Sequence, residues 1–309
     1  MIKHLLSIDQ LSVAQIEEVL RIAESFREVG TRRIKKVPTL RGRTVCNLFF
    51  EPSTRTRISF EIAAKRLSAD VINFTADSRT SVSKGESFKD TALTLQAMGM
   101  DAIVIRHSSS GAPQRLSKWV AASVINAGDG AHEHPTQALL DLYSIRERFP
   151  SFEGLRIAIV GDVLHSRVAR SNIKAFTKMG AQVTVVGPPT LIPASAESWG
   201  ADVSWSLDEV LPKLDVVYLL RVQKERQNEQ LFPTIREYAS VWGMDRRRAE
   251  QLKPEALIMH PGPINRGVEI GSDLADLSRS IITDQVTNGI AVRMSLLYLM
   301  LGEGSEEGS

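Results

Sequence analysis

Short apolar runs alternate with helix-like segments along most of the chain. Ser12 and Gln15 form a capping-box sequence, and apolar residues at helical spacing, from Ile16 to Ala23, predict the first helix. Strands are then predicted at residues 45–50, 71–74, 102–106 and 123–126, with helices between them at residues 58–67, 88–98 and 113–121. Strands and helices that alternate in this way are typical of a parallel sheet covered on both faces.

A break in this pattern predicts a domain boundary near residue 150. A long helix is predicted from residue 135 to 149, and turn residues at 149–154 end it. Further strands are predicted at residues 155–160, 182–186, 216–220 and 256–259. We therefore expect an α/β fold with two parallel-sheet domains, residues 1–149 and 150–288, and a C-terminal helix at 289–301 that packs back on the first domain.

The composition narrows the classes of protein. The 309 residues are 43% hydrophobic and 24% charged, with a formal net charge of +2. Such a chain shows no global attraction to nucleic acid or to an anionic membrane. No apolar stretch reaches the roughly 18 residues that span a bilayer, and the N-terminus lacks the shape of a signal peptide. The single cysteine, Cys46, lies in an apolar run, so we expect a buried thiol and a cytoplasmic protein.

The sequence Ser-Thr-Arg-Thr-Arg at residues 53–57, here called the phosphate turn, stands between a predicted strand and a predicted helix. Such a turn presents backbone N–H groups and the positive end of the helix dipole. Hydroxyl groups from Ser53, Thr54 and Thr56 add donors, and the planar guanidinium of Arg55 can bind two phosphate oxygens. An ordinary helix cap beside surface arginines is the alternative, but capping needs fewer hydroxyl groups. We predict a phosphate site, which is not of the Walker A type because no Gly-Lys-Ser/Thr sequence occurs.

A second polar loop, at residues 128–137, leads into the long predicted helix. Pro135 suits the first helical position, which places His134 at the cap and Gln137 in the first turn. Both side chains can then donate hydrogen bonds to a small polar ligand. Metal binding by His132 and His134 is the alternative, but the other histidines lack metal-type spacing, so we expect no metal.

Three arginines follow predicted strands. Arg106 ends one in the first domain, and Arg167 and Arg221 occupy comparable positions in the second. Ligands of parallel sheets bind beyond the carboxyl ends of the strands, which favours a binding role for all three. A dinucleotide cofactor is not expected, because Gly-x-Gly-x-x-Gly is missing after the strand that precedes Gly161.

The phosphate turn and the sequence His-Pro-Thr-Gln at residues 134–137 resemble the two signature motifs of the aspartate/ornithine carbamoyltransferase family. Four further segments match the family in order, at residues 81–86, 104–107, 221–226 and 260–263. The resemblance extends from about residue 5 to residue 301. Ornithine enzymes carry His-Cys-Leu-Pro where this chain has His-Pro-Gly-Pro, and the segment at Arg221 suits a dicarboxylate, which favours the aspartate branch. The chain departs from many aspartate enzymes at Gly262, where they have Leu.

The resemblance implies a transferase that moves a carbamoyl group from carbamoyl phosphate to L-aspartate, in pyrimidine biosynthesis, with no metal or organic cofactor. The first domain would bind carbamoyl phosphate and the second aspartate, with the active site in the cleft between them. Thr56, Arg106 and His134 would surround the reacting carbonyl oxygen as catalytic residues. The implied carbamoyl phosphate ligands are Ser53, Thr54, Arg55, Thr56, Ser81, Arg106, His134, Gln137, Gly262 and Pro263. The implied aspartate ligands are Lys84, Arg167, Arg221 and Gln223.

The resemblance also implies a homotrimer with shared active sites, because the segment that holds Ser81 and Lys84 matches the one that reaches into the neighbouring subunit. Whether a regulatory chain or a dihydroorotase partner joins the trimer stays open. No nucleic acid or membrane partner is expected. Two other functions stay open, an ornithine carbamoyltransferase and a non-catalytic ligand-binding homologue.

Overall fold

Two parallel sheets organise the part of the chain that the computed structural model describes, which comprises residues 2–75, 87–222 and 234–302. The chain divides into two compact units. Unit 1 consists of Met1–Tyr143 with Thr287–Ser309, and unit 2 consists of Ser144–Val286. Each unit has its own parallel sheet with helices packed beside it, so the predicted fold class is confirmed.

The sheet of unit 1 has the strand order β2-β1-β3-β4. Its strands are β1 (Thr44–Phe49), β2 (Asp70–Thr75), β3 (Ala102–His107) and β4 (Ser123–Asp129). All neighbouring pairs are parallel. Every residue of β4 is buried, as expected for a strand that is covered on both faces.

The sheet of unit 2 has the order β7-β6-β5-β8-β9, again with parallel pairs. Its strands are β5 (Arg156–Val160), β6 (Gln182–Val186), β7 (Ala201–Ser204), β8 (Val216–Leu219) and β9 (Leu257–Met259). The prediction missed β7. This four-residue strand lies at the sheet edge and only its first residue is buried, so it produces no apolar run.

The α-helices are α1 (Val13–Thr31), α2 (Thr54–Arg66), α3 (Phe88–Ala97), α4 (Ala112–Leu116), α5 (Pro135–Arg146), α6 (Arg167–Lys178), α7 (Leu207–Val210), α8 (Ile235–Trp242), α9 (Arg246–Ala249) and α10 (Ile282–Leu301). The capping box of α1 is confirmed: Ser12 Oγ accepts the Gln15 N–H at 3.2 Å, and Gln15 Oε1 accepts the Ser12 N–H at 2.9 Å. The predicted apolar face of α1 is buried.

Two helices differ from the prediction in length. The helix predicted at residues 113–121 ends at Leu116, and the residues after it form a turn before β4. The last helix begins at Ile282 and not at residue 289. Its later part contacts α1, where Ser295 Oγ donates to the Val19 carbonyl at 2.8 Å.

The core accounts for Cys46, which is fully buried in β1. Burial raises the pKa of its thiol to about 12, so the thiolate is scarce at neutral pH and the expected structural thiol is confirmed. Across the described residues, none of the helices combines the length and the hydropathy that crossing a bilayer requires.

Candidate functional site

The carboxyl ends of β1 and β3 form the topological switch point of unit 1, because the chain leaves these neighbouring strands toward opposite edges of the sheet. Phe49 at the end of β1 lies opposite Arg106 on β3, and the Phe50 N–H donates to the Arg106 carbonyl at 2.9 Å. Ligands of open parallel sheets bind at such a point. The phosphate turn follows β1 at this end of the sheet.

The phosphate turn leads directly into α2. The backbone carbonyl of Ser53 accepts the Arg57 N–H, whereas the Ser53 hydroxyl makes no capping hydrogen bond. Capping therefore does not account for this hydroxyl group. Thr54 and Arg55 are exposed and Thr56 is buried, and no acidic residue stands in the first turn of α2. The turn thus combines a helix N-terminus, hydroxyl groups and a cation, which suits an anion.

Arg106 lies beside this turn. Its Nε is 3.6 Å from the carboxylate of Glu51, and its Nη1 donates to the Ala127 carbonyl at 3.1 Å. These contacts fix the guanidinium between the ends of β1 and β4. The register therefore brings together the first two predicted components of the site, the phosphate turn and Arg106.

His134 and Gln137 stand at the N-terminus of α5. The His134 carbonyl accepts the N–H groups of Gln137 and Ala138 at 3.0 and 3.3 Å, so His134 caps the helix as predicted. His134 is 4% exposed, and its Nδ1 lies 3.4 Å from Thr136 Oγ1. Gln137 Nε2 donates to Asp141 at 3.1 Å, so one N–H of its amide is used within α5, and the ligand role of Gln137 stays a prediction.

The loop before α5 is held by Asp129, a buried carboxylate that the sequence reasoning missed. Asp129 accepts the Gly111 N–H at 2.7 Å and the Asn126 amide at 2.8 Å, and His132 Nδ1 lies 3.1 Å away. Burial alone would raise the pKa of Asp129, but the hydrogen bonds from His132, Asn126 and Gly111 outweigh it and lower the pKa.

These contacts give His132 a structural role in the loop before α5. Its Nδ1 faces Asp129, so that nitrogen serves a hydrogen bond. The ranges 2–75, 87–222 and 234–302 contain no group of three or more His, Cys, Asp or Glu side chains arranged to hold a metal ion.

The switch point of unit 2 lies between β5 and β8. Arg167 follows β5 as the first residue of α6 and is 3% exposed, and Ser166 caps that helix by accepting the Ala169 N–H at 3.1 Å. Arg221 follows β8 and is half-buried. Both arginines thus stand beyond the carboxyl ends of neighbouring strands, which is where the sequence predicted them.

A glycine opens the turn between β5 and Arg167. Gly161 has φ +124°, and a Cβ there would lie 2.6 Å from the Tyr238 hydroxyl. Both the backbone conformation and the close approach of Tyr238 require a residue without a side chain at this position.

Gly262 and Pro263 lie in the loop after β9, which a buried histidine holds. His260 Nδ1 accepts the Gly262 N–H at 2.8 Å, and its Nε2 lies 3.1 Å from Glu269 Oε1. The same carboxylate oxygen accepts the Asn265 N–H at 2.6 Å. Because Nδ1 accepts, Nε2 carries the ring proton and donates to Glu269. Gly262 has φ +64°, a conformation that favours glycine over the leucine expected from the family pattern.

The predicted site residues therefore fall into three groups. Unit 1 contains Ser53, Thr54, Arg55, Thr56, Arg106, His134 and Gln137. Unit 2 contains Arg167, Arg221, Gly262 and Pro263. Ser81, Lys84 and Gln223 lie outside the described residues.

Both halves of the chain match one family. Residues 3–147 match the aspartate/ornithine carbamoyltransferase carbamoyl-P binding domain, and residues 153–300 match the Asp/Orn binding domain of the same family. The aspartate carbamoyltransferase catalytic subunit of Thermobifida fusca is 60% identical over 97% of this chain and 96% of the relative. The protein of the same name from Acidothermus cellulolyticus is 59% identical over 98% and 94%.

Solved structures agree with the sequence matches. Aspartate transcarbamoylase from Trypanosoma cruzi, in complex with carbamoyl phosphate and aspartate, superposes with a TM-score of 0.88 at 30% identity, covering 97% of each chain. The catalytic subunit of M. jannaschii aspartate transcarbamoylase gives a TM-score of 0.85 at 36% identity and covers 100% of each chain. The chain therefore belongs to the aspartate/ornithine carbamoyltransferase family.

Proposed function

We propose that this protein transfers the carbamoyl group of carbamoyl phosphate to the α-amino group of L-aspartate. It is an enzyme, a transferase, and its products are N-carbamoyl-L-aspartate and phosphate. The observation that carries this function is the switch point of unit 1, where Arg106 stands beside a helix N-terminus with no acidic residue in its first turn. Two arginines at the switch point of unit 2 supply cations for a dicarboxylate, and the names of the similar proteins support the same substrates.

Unit 1 binds carbamoyl phosphate in this proposal. Ser53, Thr54, Arg55 and Thr56 donate to the phosphate oxygens, and the positive end of the α2 dipole adds to the attraction. Arg106 contributes a second guanidinium. The sequence match at residues 81–86 supports Ser81 of the neighbouring subunit as a further phosphate ligand.

The reaction needs no protein nucleophile. The neutral α-amine attacks the carbamoyl carbon, a C–N bond forms, and the bond from that carbon to the phosphate oxygen breaks. Negative charge grows on the carbonyl oxygen, to which Thr56, Arg106 and His134 donate. The leaving phosphate accepts the proton of the amine. One well-placed donor to such an oxygen typically contributes about 10²–10³ in rate.

Unit 2 binds aspartate. Arg167 and Arg221 each present a planar fork that fits one carboxylate. Two further residues contact aspartate in this proposal, Gln223 and the Lys84 of the neighbouring subunit. The sequence match supports both. The carbonyls of Gly262 and Pro263 accept from the carbamoyl amide. This assigns carbamoyl phosphate binding to residues 1–149 and aspartate binding to residues 150–288.

A product assay tests the function. Purified protein with carbamoyl phosphate and aspartate should form N-carbamoyl-L-aspartate and phosphate in equal amounts, and ornithine should give no citrulline. The matched control is Arg221→Lys, which keeps the charge but loses the two-oxygen fork and should raise the aspartate KM. Equal or faster turnover of ornithine would contradict the aspartate assignment. No turnover of either amine would identify a non-catalytic homologue.

The active form in this proposal is a cytoplasmic homotrimer that acts in de novo pyrimidine biosynthesis. Its support is the sequence match around Ser81 and Lys84. Mixed trimers test it, since each site takes Arg55 from one chain and Lys84 from the next. Random mixing of Arg55→Ala with Lys84→Ala gives mixed rings in about three-quarters of cases, each with one intact site in three, so roughly a quarter of the activity should return.

Subunit exchange must be shown for both variants. No recovery from variants that exchange would mean that Lys84 does not serve a neighbouring site. The relatives are named catalytic subunits, which supports a further component such as a regulatory chain. Mass measurement on protein purified from its native source would reveal a regulatory chain or a dihydroorotase partner.

A further inference from the structure

Gln137 and Asp141 face each other one turn apart on α5. Gln137 is 9% exposed and Asp141 is fully buried, and Gln137 Nε2 donates to Asp141 Oδ1 at 3.1 Å. An ionised carboxylate only accepts hydrogen bonds. The Gln137 amide therefore turns its NH2 group toward Asp141, and its oxygen remains as the acceptor of the amide.

Arg293 on α10 supplies the opposite charge. It is 4% exposed, its Nη1 donates to Ser59 Oγ at 2.8 Å, and its guanidinium lies 5.1 Å from the centre of the Phe60 ring. Burial lowers the pKa of Arg293 to about 10, and the charge of Asp141 acts against that shift. The guanidinium is therefore protonated at neutral pH, and the charge of Asp141 helps to keep it so. Ser59 belongs to α2, the helix that begins in the phosphate turn.

We propose that Asp141 is a positioning residue that orients the Gln137 oxygen toward the carbamoyl NH2 and so selects a carbamoyl over an acetyl group. This inference rests on the proposed function. The carbamoyl NH2 offers two donors, whereas the methyl group of acetyl phosphate offers none. A site that presents acceptors to an N–H group discriminates against an analogue that lacks it. A reversed Gln137 amide would place its own NH2 group against the NH2 group of the carbamoyl ligand, and both groups are donors.

Asp141→Asn tests the orientation. The charge of Arg293, which acts on Asp141, should attract the oxygen of the new amide, so that the Asn NH2 turns toward Gln137. Gln137 must then turn its own oxygen inward and its NH2 toward the ligand. We expect the ratio of kcat/KM for carbamoyl phosphate to kcat/KM for acetyl phosphate to fall about 10-fold or more. The Kd of inorganic phosphate, which lacks the amide, should change less than about 2-fold.

A second variant separates orientation from stability. In the double variant Asp141→Asn, Arg293→Met, the cation that turns the Asn amide is gone, so Gln137 regains access to an acceptor. The selectivity ratio should rise to a value between those of Asp141→Asn and the wild type. A merely structural role predicts that the second substitution adds damage and restores nothing. The double variant buries no charge at either position, so it keeps the test available if Asp141→Asn alone fails to fold, and its selectivity ratio should then lie below that of the wild type.

Asp101→Asn is the matched control. Asp101 precedes β3 and accepts from Arg43 Nη1 and the Thr44 N–H at 3.2 and 2.8 Å. Its loss should lower stability in the same unit and leave the selectivity ratio unchanged. An unchanged ratio in folded, active Asp141→Asn, or a double variant equal to the wild type, overturns the inference while the proposed function stands. Wild-type protein without carbamoyl transfer would overturn both.

Discussion

Two sets of candidate site residues, one in each unit, are held by different means. In unit 1, Thr56 and Gln137 stand in the first turns of α2 and α5, where regular backbone hydrogen bonds fix the chain. In unit 2, Gly262 and Pro263 stand in a loop, and the buried pair of His260 and Glu269 fixes that loop. A helix tolerates the loss of one side chain without moving its neighbours, whereas a loop held by side chains depends on each of them.

This difference predicts which properties a substitution should change in each unit. Substitutions in the helix turns of unit 1 should remove single contacts to the ligand, and their kinetic effects should separate by role. Substitutions of the buried pair in unit 2 should move a backbone segment, and stability and binding should change together.

The largest effect is expected at the N-terminus of α5. His134→Ala removes a donor to the oxygen that gains charge, so kcat should fall about 10²–10³-fold with little change in the carbamoyl phosphate KM. The His134 carbonyl, which caps the helix, is retained. Arg55→Ala is the comparison, since it faces the phosphate in both ground and transition states and should weaken binding as well as turnover. An unchanged kcat in His134→Ala would refute the proposed role.

The loop of unit 2 is tested by two substitutions of His260 that keep one bond each. His260→Asn can still accept the Gly262 N–H with an oxygen near the Nδ1 position. His260→Gln can still donate to Glu269 from near the Nε2 position. If the Gly262 bond sets the carbonyls of the loop, His260→Gln should weaken carbamoyl phosphate binding about 10-fold, and more than His260→Asn does.

Inorganic phosphate is the control ligand for this pair, and both variants should bind it as the wild type does. Urea unfolding measures stability. Each variant loses one hydrogen bond of His260, so its free energy of unfolding should fall by about 1–3 kcal/mol. Equal carbamoyl phosphate affinity in the two variants would mean that the loop needs no specific bond.

The buried carboxylate Asp129 should make unit 1 sensitive to acid. Its pKa lies below the ordinary value of 3.8, so its stabilising effect is present above that value and is lost as pH falls through the lower native pKa. Asp129→Asn should lower the free energy of unfolding by about 1–3 kcal/mol at pH 7, because the new NH2 group faces the N–H of Gly111, which is also a donor. Urea unfolding should show this difference shrinking as the pH is lowered below 3.8.

Asp208 in unit 2 is the matched comparison. Hydrogen bonds from Arg248 lower its pKa, but its side chain is 43% exposed. Solvent screens such a pair, so Asp208→Asn should have a smaller effect that decreases further with added salt. A larger effect at Asp208 than at Asp129 would reverse the expected order.

The sequence predicted the strands of both units apart from β7, and the polar side chains at strand ends and helix N-termini, but not the side chains that hold them. Strand β6 was predicted at its observed bounds because Gln182–Val186 is a distinct apolar run. Arg106 was found because a cation at a strand end is visible in the sequence. Asp141 and Glu269 were missed although Gln137 and His260, their partners, are only four and nine residues away. A buried carboxylate looks like a surface one until the fold is known. The ligand roles of the site residues stay predictions.

The smallest effect is expected at Gly289 on α10, and its sign tests how firmly unit 1 holds Arg293. A Cβ at this position would lie 2.5 Å from Arg293 Nη1 and 3.1 Å from Leu140 Cδ2. Alanine in a helix interior is favoured over glycine by about 1 kcal/mol, whereas moving the guanidinium breaks its bond to Ser59, worth about 1.5–3 kcal/mol. Gly289→Ala should therefore lower the free energy of unfolding by about 1 kcal/mol and reduce carbamoyl over acetyl selectivity less than Asp141→Asn does. Stabilisation with unchanged selectivity would show that Arg293 has a second position of equal quality, and that unit 1 does not hold this guanidinium rigidly.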